Sequence, residues 1–310
     1  MTSAGQKTIC PQGHWREQRS PEWAAVVERP AGDAMMAQVV TSDFHAKQGR
    51  STGRLVFPAA AGPEAVYLKR HFRLPLRLRL LAWLWPERHW SPAWVEWQHL
   101  VWARAHGLPV PDALAVGERR GPGLELQSYL VIRELTGMLP LHEAVPRALE
   151  SLSAAQFYAW KRDLVRQIAS VVRRMHGARR YHKDLYLCHF FVPTATLTTG
   201  RVAPGAVHLI DFHRLTRSTL WRWRWQVKDL AELQFSSQVA GITNRDRLRF
   251  LHHYHGARRG SWRARFFTWA VRIKAERYEA HNRKAEREQA KGQSAPPAQC
   301  RSLPKSRGAA

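Results

Sequence analysis

Cysteine is scarce: Cys10, Cys188 and Cys300 are the three in 310 residues, and they share no spacing. That excludes a disulfide framework and a cysteine-based zinc site, and it makes a reducing compartment the easier setting. No apolar run approaches the ~18 residues that cross a bilayer. The opening MTSAGQKTICPQGHWREQ also lacks the apolar segment of a signal peptide. The expectation is a cytoplasmic protein that meets a membrane, if at all, at its surface. Acids are few, 24 against 49 Lys and Arg, for a net charge of +25. A field of that sign favours a polyanionic partner, whether nucleic acid, phosphate-bearing ligand or anionic membrane, without choosing among them. There is no internal repeat.

What is present is enough apolar material for a core. Hydrophobic residues make up 45% of the chain, which excludes global disorder, and the length suits one large domain or two modest ones. Residues 1–38 are polar, with scattered Pro and Gly, and read as a loosely ordered lead-in. Residues 39–135 are strand-rich. GRLVF and AVYLKRHF are short β-type runs around the turn-prone PAAAGPE, and DALAVGER and LQSYLVIREL are joined by RGPG. Between these pairs, SPAWVEWQHLVWARAHG predicts a helix with Ser91 as cap, Pro92 in its first turn and Gly107 at its exit.

Residues 136–275 are mainly helical. Ser153-Ala-Ala-Gln156 has capping-box spacing. Phe157, Trp160, Leu164, Ile168, Val171 and Met175 then recur at three and four, so they share one helix face that Gly177 ends. The loop YHKDLYLCHFFV follows. FFV and AVHLI then read as two short strands in a hairpin, and residues 276–310 as a charged, disordered tail. Strands with one inserted helix, then helices with one hairpin, predict an α+β fold of two lobes with a ligand crevice between them.

The chemistry rests on four residues. Transfer of a phosphoryl group needs a base for the attacking hydroxyl, an acid to hold a metal on the phosphates, and a cation to grip them. Asp184, on the loop after the long helix, suits the base. Asp211, ending the VHLI run in HLIDFHR, suits the metal ligand. Lys69, in AVYLKR, suits the phosphate contact, with Glu96 on the next helix placed to orient it. Singly each is ordinary surface polarity. Their order, from strand Lys and helix Glu to His-x-Asp loop and Asp-Phe, agrees part by part with the protein-kinase signature set.

YHKDLYLCHFFV, LIDFHR and YLKRHF, and less sharply VKDLAELQFSS and NRDRLRFLHHYHG, resemble the lipopolysaccharide kinases of the Kdo/WaaP family. The likeness covers roughly Ser42 to Gly256, and the Cys-His-Phe ending of the loop separates this family from ordinary protein kinases. The resemblance implies a protein-kinase-like fold with a small strand-rich N-lobe and a mainly helical C-lobe. It implies ATP as donor, magnesium, and a heptose or Kdo of the lipopolysaccharide inner core as acceptor, at the cytoplasmic face of the inner membrane. It implies Asp184 as base with His182 beside it, Asp211 as magnesium ligand, and Lys69 with Glu96 at the phosphates. Gly49, Gly53, Arg133, Glu134 and Leu135 would contact the nucleotide, and Asp229 would brace the catalytic loop.

Some positions depart from the protein-kinase pattern. His189 stands where protein kinases carry an asparagine metal ligand, and magnesium prefers oxygen, so its place among the metal ligands is questionable. DFH replaces Asp-Phe-Gly, so His213 lacks glycine's backbone freedom. QGRSTGR offers only Gly49 and Gly53 as a glycine-rich loop, with Arg50 or Arg54 to add charge. Cys188 reads as a small buried residue. RHFRLPLRLRLLAWLWPERHW interleaves arginine with leucine and tryptophan, as an interfacial segment does. Its plainer reading is a strand edge with solvated arginines. RLTRSTLWRWRWQVK repeats the composition. His252, His253 and His255 read as a helix end. The alternatives are a catalytically weakened kinase fold that binds anionic membrane or glycolipid, and a kinase for another small hydroxylated substrate. Specific nucleic-acid binding has only charge in its favour.

Overall fold

The structure, a computed structural model, describes residues 15–26, 32–39, 49–57, 63–256 and 260–291. The chain divides into two compact units, one of Met1–Thr136 with Leu209–Leu215, the other of Gly137–His208 with Thr216–Ala310.

The first unit is built on a five-stranded sheet. Its strands are β1 (Trp15–Arg19), β2 (Arg50–Phe57), β3 (Glu64–His71), β4 (Ala113–Gly121) and β5 (Glu125–Arg133), in the order β1-β4-β5-β3-β2. Every pairing is antiparallel. Its helices are α1 (Pro21–Val26), α2 (Gly32–Ala37), α3 (Leu76–Leu84) and α4 (Pro92–Ala105). Val66 and Leu68 of β3, Leu114 and Ala115 of β4, and Tyr129 and Val131 of β5 form the buried core with Trp23 and Met35. α4 starts where the sequence places it: Ser91 accepts from the Trp94 amide, and Pro92 occupies the first turn.

Two expectations for this unit are corrected. The described part of the 1–38 lead-in is folded: β1 forms the sheet's edge beside β4, and Trp23 and Met35 are core residues. Each of these apolar anchors sits in a short apolar run, WAAVV and AMMA, and burial contributes about 1.5–3 kcal/mol for each. The Arg/Leu/Trp segment contains a helix where a strand edge was the plain reading. Leu76-Arg-Leu-Arg-Leu alternates with the period of a strand, yet Pro75 precedes α3 and Arg79 ties it down by donating to the carbonyls of Leu124 (2.6 Å) and Gly123 (3.1 Å).

The second unit comprises β6 (Met138–Pro140), α5 (Leu141–Ser151), α6 (Ala154–Gly177), β7 (Arg180–Tyr181), β8 (Phe190–Pro193), α7 (Thr196–Thr199), β9 (His208–Leu209, whose Leu209 returns to the first unit), β10 (Thr216–Arg217), α8 (Arg222–Ser236), α9 (Asn244–His255) and α10 (Trp262–Lys291). Ser153 and Gln156 form the predicted capping box on α6. The apolar face from Phe157 to Met175 is buried as the spacing requires. α6 packs on α9, and α8 on α10.

The two expected strands are neighbours in a three-stranded sheet of order β6-β8-β9, with α7 in the connection between them, and β8 also pairs with β6, Leu139 opposite Val192. His252, His253 and His255 close α9, as expected. The disordered tail is corrected in part, since α10 continues to Lys291; residues 292–310 lie outside the described residues. The charged stretch extends a helix already anchored in its earlier turns by Val271 and Ala275, both buried, and adding residues to an existing helix is far easier than starting one.

Candidate active site

In the first unit, β3 presents Lys69 and α4 presents Glu96. The Lys69 Nζ donates to Glu96 Oε1 at 2.7 Å and to Asp211 Oδ1 at 3.3 Å. Burial opposes the ammonium charge, but the carboxylates of Glu96 and Asp211 outweigh it and hold the Lys69 pKa above its ordinary range. The sequence thus brings together three of its four key residues within this unit. His213 Nδ1 also lies 2.7 Å from Asp211 Oδ1.

Asp211 itself takes a left-handed backbone, with φ 69° and ψ 59°, a region that Asp tolerates better than most residues. His213 sits in the 3-10 turn Phe212–Arg214 and needs no glycine freedom. His99 Nδ1 fixes that turn through the Phe212 carbonyl at 3.0 Å.

The proposed nucleotide contacts fare unevenly. Gly49 is in a turn at φ +72°, and its carbonyl accepts from the Phe72 amide at 2.8 Å. Gly53 lies inside β2, opposite Leu68, so it is a ladder residue where a loop glycine was expected. Arg54 is engaged by Glu134, with both of its nitrogen–oxygen distances at 2.9 Å. Arg133 is held by Glu64 (2.6 Å), Asp112 (2.8 Å) and Glu22 (2.9 Å). Three carboxylates around one guanidinium make the Arg133 side chain a tie within the unit. Glu134 and Leu135 directly follow β5, and the Glu134 amide donates to the Ala65 carbonyl at 2.9 Å.

In the second unit the loop Tyr181–His189 is suspended from α8. Asp229 is fully buried. Its Oδ2 accepts from the His182 amide at 2.7 Å and its Oδ1 from the Lys183 amide at 2.8 Å. His176 Nε2, whose Nδ1 meets Tyr254 Oη at 2.9 Å, lies 3.1 Å from the same Oδ2. One turn on, Glu232 Oε2 accepts from the Leu185 amide at 3.3 Å. Ser236 Oγ accepts from the Leu187 amide at 2.8 Å. Lys228 bridges Glu232 and the Lys183 carbonyl. Residues 229, 232 and 236 share one helix face, so α8 reads the loop amide by amide with Asp184 at its centre. Burial pushes the Glu232 pKa up to about 7; Lys228 opposes this, and Asp229 and Asp184 add to it.

Of this brace, the sequence reading found Asp229 but missed Lys228, Glu232 and Ser236. Their helical spacing within KDLAELQFS was the available signal. The His182 side chain is fully buried, and its backbone amide is what Asp229 holds. His189 Nδ1 lies 2.8 Å from the Asp184 carbonyl, which locks the loop. Cys188 is half-buried.

Magnesium is taken by one or two carboxylates together with substrate phosphates and seldom by an all-protein cage. The oxygen donor Asp211 fits that mode. Among the described residues no cluster of three or more His, Cys, Asp and Glu could hold a metal ion alone.

A strand-rich unit carrying the lysine–glutamate pair, followed by a mainly helical unit carrying the braced loop, is a protein-kinase-like fold. A solved structure, "WaaP in complex with acyl carrier protein", matches it with a TM-score of 0.60 and 26% identity, over 84% of this chain and 98% of that one. The model of the lipopolysaccharide kinase (Kdo/WaaP) family matches residues 82–254, more than half of the sequence, and this chain belongs to that family. It is 33% identical over 159 residues to the lipopolysaccharide core heptose(I) kinase WaaP of Pseudomonas aeruginosa, covering 51% of this chain and 58% of that protein. To the protein of that name from Escherichia coli it is 31% identical over 162 residues, covering 52% and 59%. The matched part thus spans less than two thirds of these curated relatives.

Proposed function

We propose that this protein is an ATP-dependent kinase that phosphorylates a sugar of the lipopolysaccharide inner core, heptose in preference to Kdo. The observation that carries it is the Lys69 ammonium pinned between Glu96 and Asp211, a cation preset for phosphate. Family membership and the heptose(I) kinase relatives support the acceptor class. In this reading Lys69 grips the nucleotide phosphates and Glu96 fixes its direction. Asp184 accepts the proton of the attacking sugar hydroxyl, and Asp229 and Glu232 hold that loop still. A magnesium ion held by Asp211 would neutralise charge on the phosphates. His189 shapes the loop and is not a metal ligand.

The acceptor lies in a membrane, so the protein works as a peripheral protein at the cytoplasmic face, with an anionic bilayer as partner. No helix among the described residues is long and apolar enough to cross a membrane. An acyl carrier protein is a further candidate partner, because the structural neighbour is held with one.

The test is transfer of labelled phosphate from ATP to dephosphorylated core glycolipids ending in heptose or in Kdo. Asp184→Ala should lower turnover at least ~10²-fold; full activity in that variant ends the base assignment, and transfer to the Kdo acceptor alone ends the heptose preference. A second reading is a weakened kinase fold that only binds anionic surfaces, favoured by the His213 contact on Asp211. A thermal shift with ATP and magnesium that requires Lys69 removes it.

A further inference from the structure

We propose that the first turns of α8 and α10 form a surface that docks on an anionic lipid bilayer. The inference refines the membrane reading above and rests on it.

Leu220, Trp221, Trp223, Trp262, Phe266 and Trp269 are each at least half exposed. On α10 the spacing of Trp262, Phe266 and Trp269 places them on one helix face. Trp223 of α8 stacks on Phe266 with ring centroids 6.0 Å apart, and Phe266 stacks on Trp269 at 5.4 Å. The aromatic row is therefore continuous across both helices. Soluble monomers rarely leave such a row in water.

Its charge selects the occupant. No Asp or Glu occurs between Asp211 and Asp229, or between Asp246 and Glu276. Arg224, Arg263 and Arg265 are exposed around the row, and the Arg263 guanidinium lies over the Trp262 ring, 5.4 Å from its centroid. Tryptophan prefers the boundary between headgroups and acyl chains, and arginine prefers anionic headgroups. A second copy of the chain would bring the same cationic patches face to face, which like-charge repulsion opposes.

The full chain is sedimented with vesicles of phosphatidylglycerol and phosphatidylethanolamine, and with phosphatidylcholine alone. Wild type should bind the anionic vesicles, less so as salt rises. The variant Trp221→Ala/Trp262→Ala/Trp269→Ala should partition at least ~10-fold more weakly, with its circular dichroism unchanged. Arg263→Glu/Arg265→Glu should lose the preference for anionic over neutral vesicles. If both variants bind like wild type while Trp83→Ala/Trp85→Ala on and beside α3 does not, this surface is wrong and the membrane reading stands. If wild type binds no vesicle, both fall. If the triple variant instead abolishes a dimer seen by sedimentation velocity and leaves vesicle binding intact, the surface joins copies and the proposal is overturned. None of these readouts depends on phosphate transfer, so the kinase reading is judged separately.

Discussion

Two groups of buried or half-buried charge dominate the molecule, one in each unit, and they are built to opposite ends. Around Lys69, carboxylates from a helix and from the Asp-Phe turn converge on one side-chain cation. Around the loop of Asp184, carboxylates from a single helix converge on backbone amides. The first arrangement holds a charge ready for a ligand and leaves Asp211 partly open to solvent. The second uses its charge up in holding the chain. Replacements in the first should therefore act on turnover, and replacements in the second on stability and turnover together.

The sharpest way to break this contrast is to compare Asp211→Asn with Asp229→Asn. In Asp211→Asn, Lys69 keeps its 2.7 Å partner Glu96, so phosphate transfer should fall at least ~10²-fold while thermal unfolding stays close to wild type. In Asp229→Asn, an amide nitrogen faces N–H donors in a site sealed from water. Leaving such groups unpaired costs about 1–3 kcal/mol, so unfolding should shift as turnover falls. Equal thermal stability of the two variants would contradict the division.

The next effect is a dependence on pH. The Glu232 pKa is pushed from the ordinary 4.5 to about 7, by burial above all. The folded state keeps this proton when the unfolded state has lost it, so between those values stability falls as pH rises, by up to about 3 kcal/mol. His71 in the first unit runs the other way. Burial, helped by Arg50, Lys69 and His213, lowers its pKa to about 3. Its contribution is complete above the ordinary histidine range and is lost as pH falls from there towards about 3. Glu232→Gln should therefore gain stability relative to wild type as pH is raised from 5 to 8 in denaturant titrations, roughly the interval over which the carboxylate titrates. A difference that does not change with pH would place the Glu232 titration elsewhere.

How far the sequence foretold these features depends on whether the partner is local. Ser91 and Ser153 cap helices that start beside them, and both caps are legible from three or four residues. The meeting of Lys69, Glu96 and Asp211 was legible because their order along the chain is itself the signature. Glu232 and Ser236 were not, because their partners are amides some fifty residues away, and an amide has no side chain to recognise. α3 was hidden by Leu/Arg alternation that imitates a strand. β1 was hidden by its polar composition, and Trp23 and Met35 because their apolar runs are short and stand between Pro, Gly and charged residues.

The smallest expected effect tests the turn that leads into β2. Gly49 holds φ +72°, and an added Cβ would stand 3.0 Å from the Arg73 Cβ. Its carbonyl accepts from the amides of Phe72 and Arg73, so the turn closes one end of the β2–β3 pair on which Lys69 lies. Gly49→Ala should cost about 1–2 kcal/mol through the left-handed backbone alone. If that turn also supplies nucleotide contacts, the KM for ATP should rise in this variant, whereas Gly53→Ala, within the ladder, should leave it unchanged. A loss of stability with no change in KM would confine Gly49 to a structural part and leave the phosphates to Lys69.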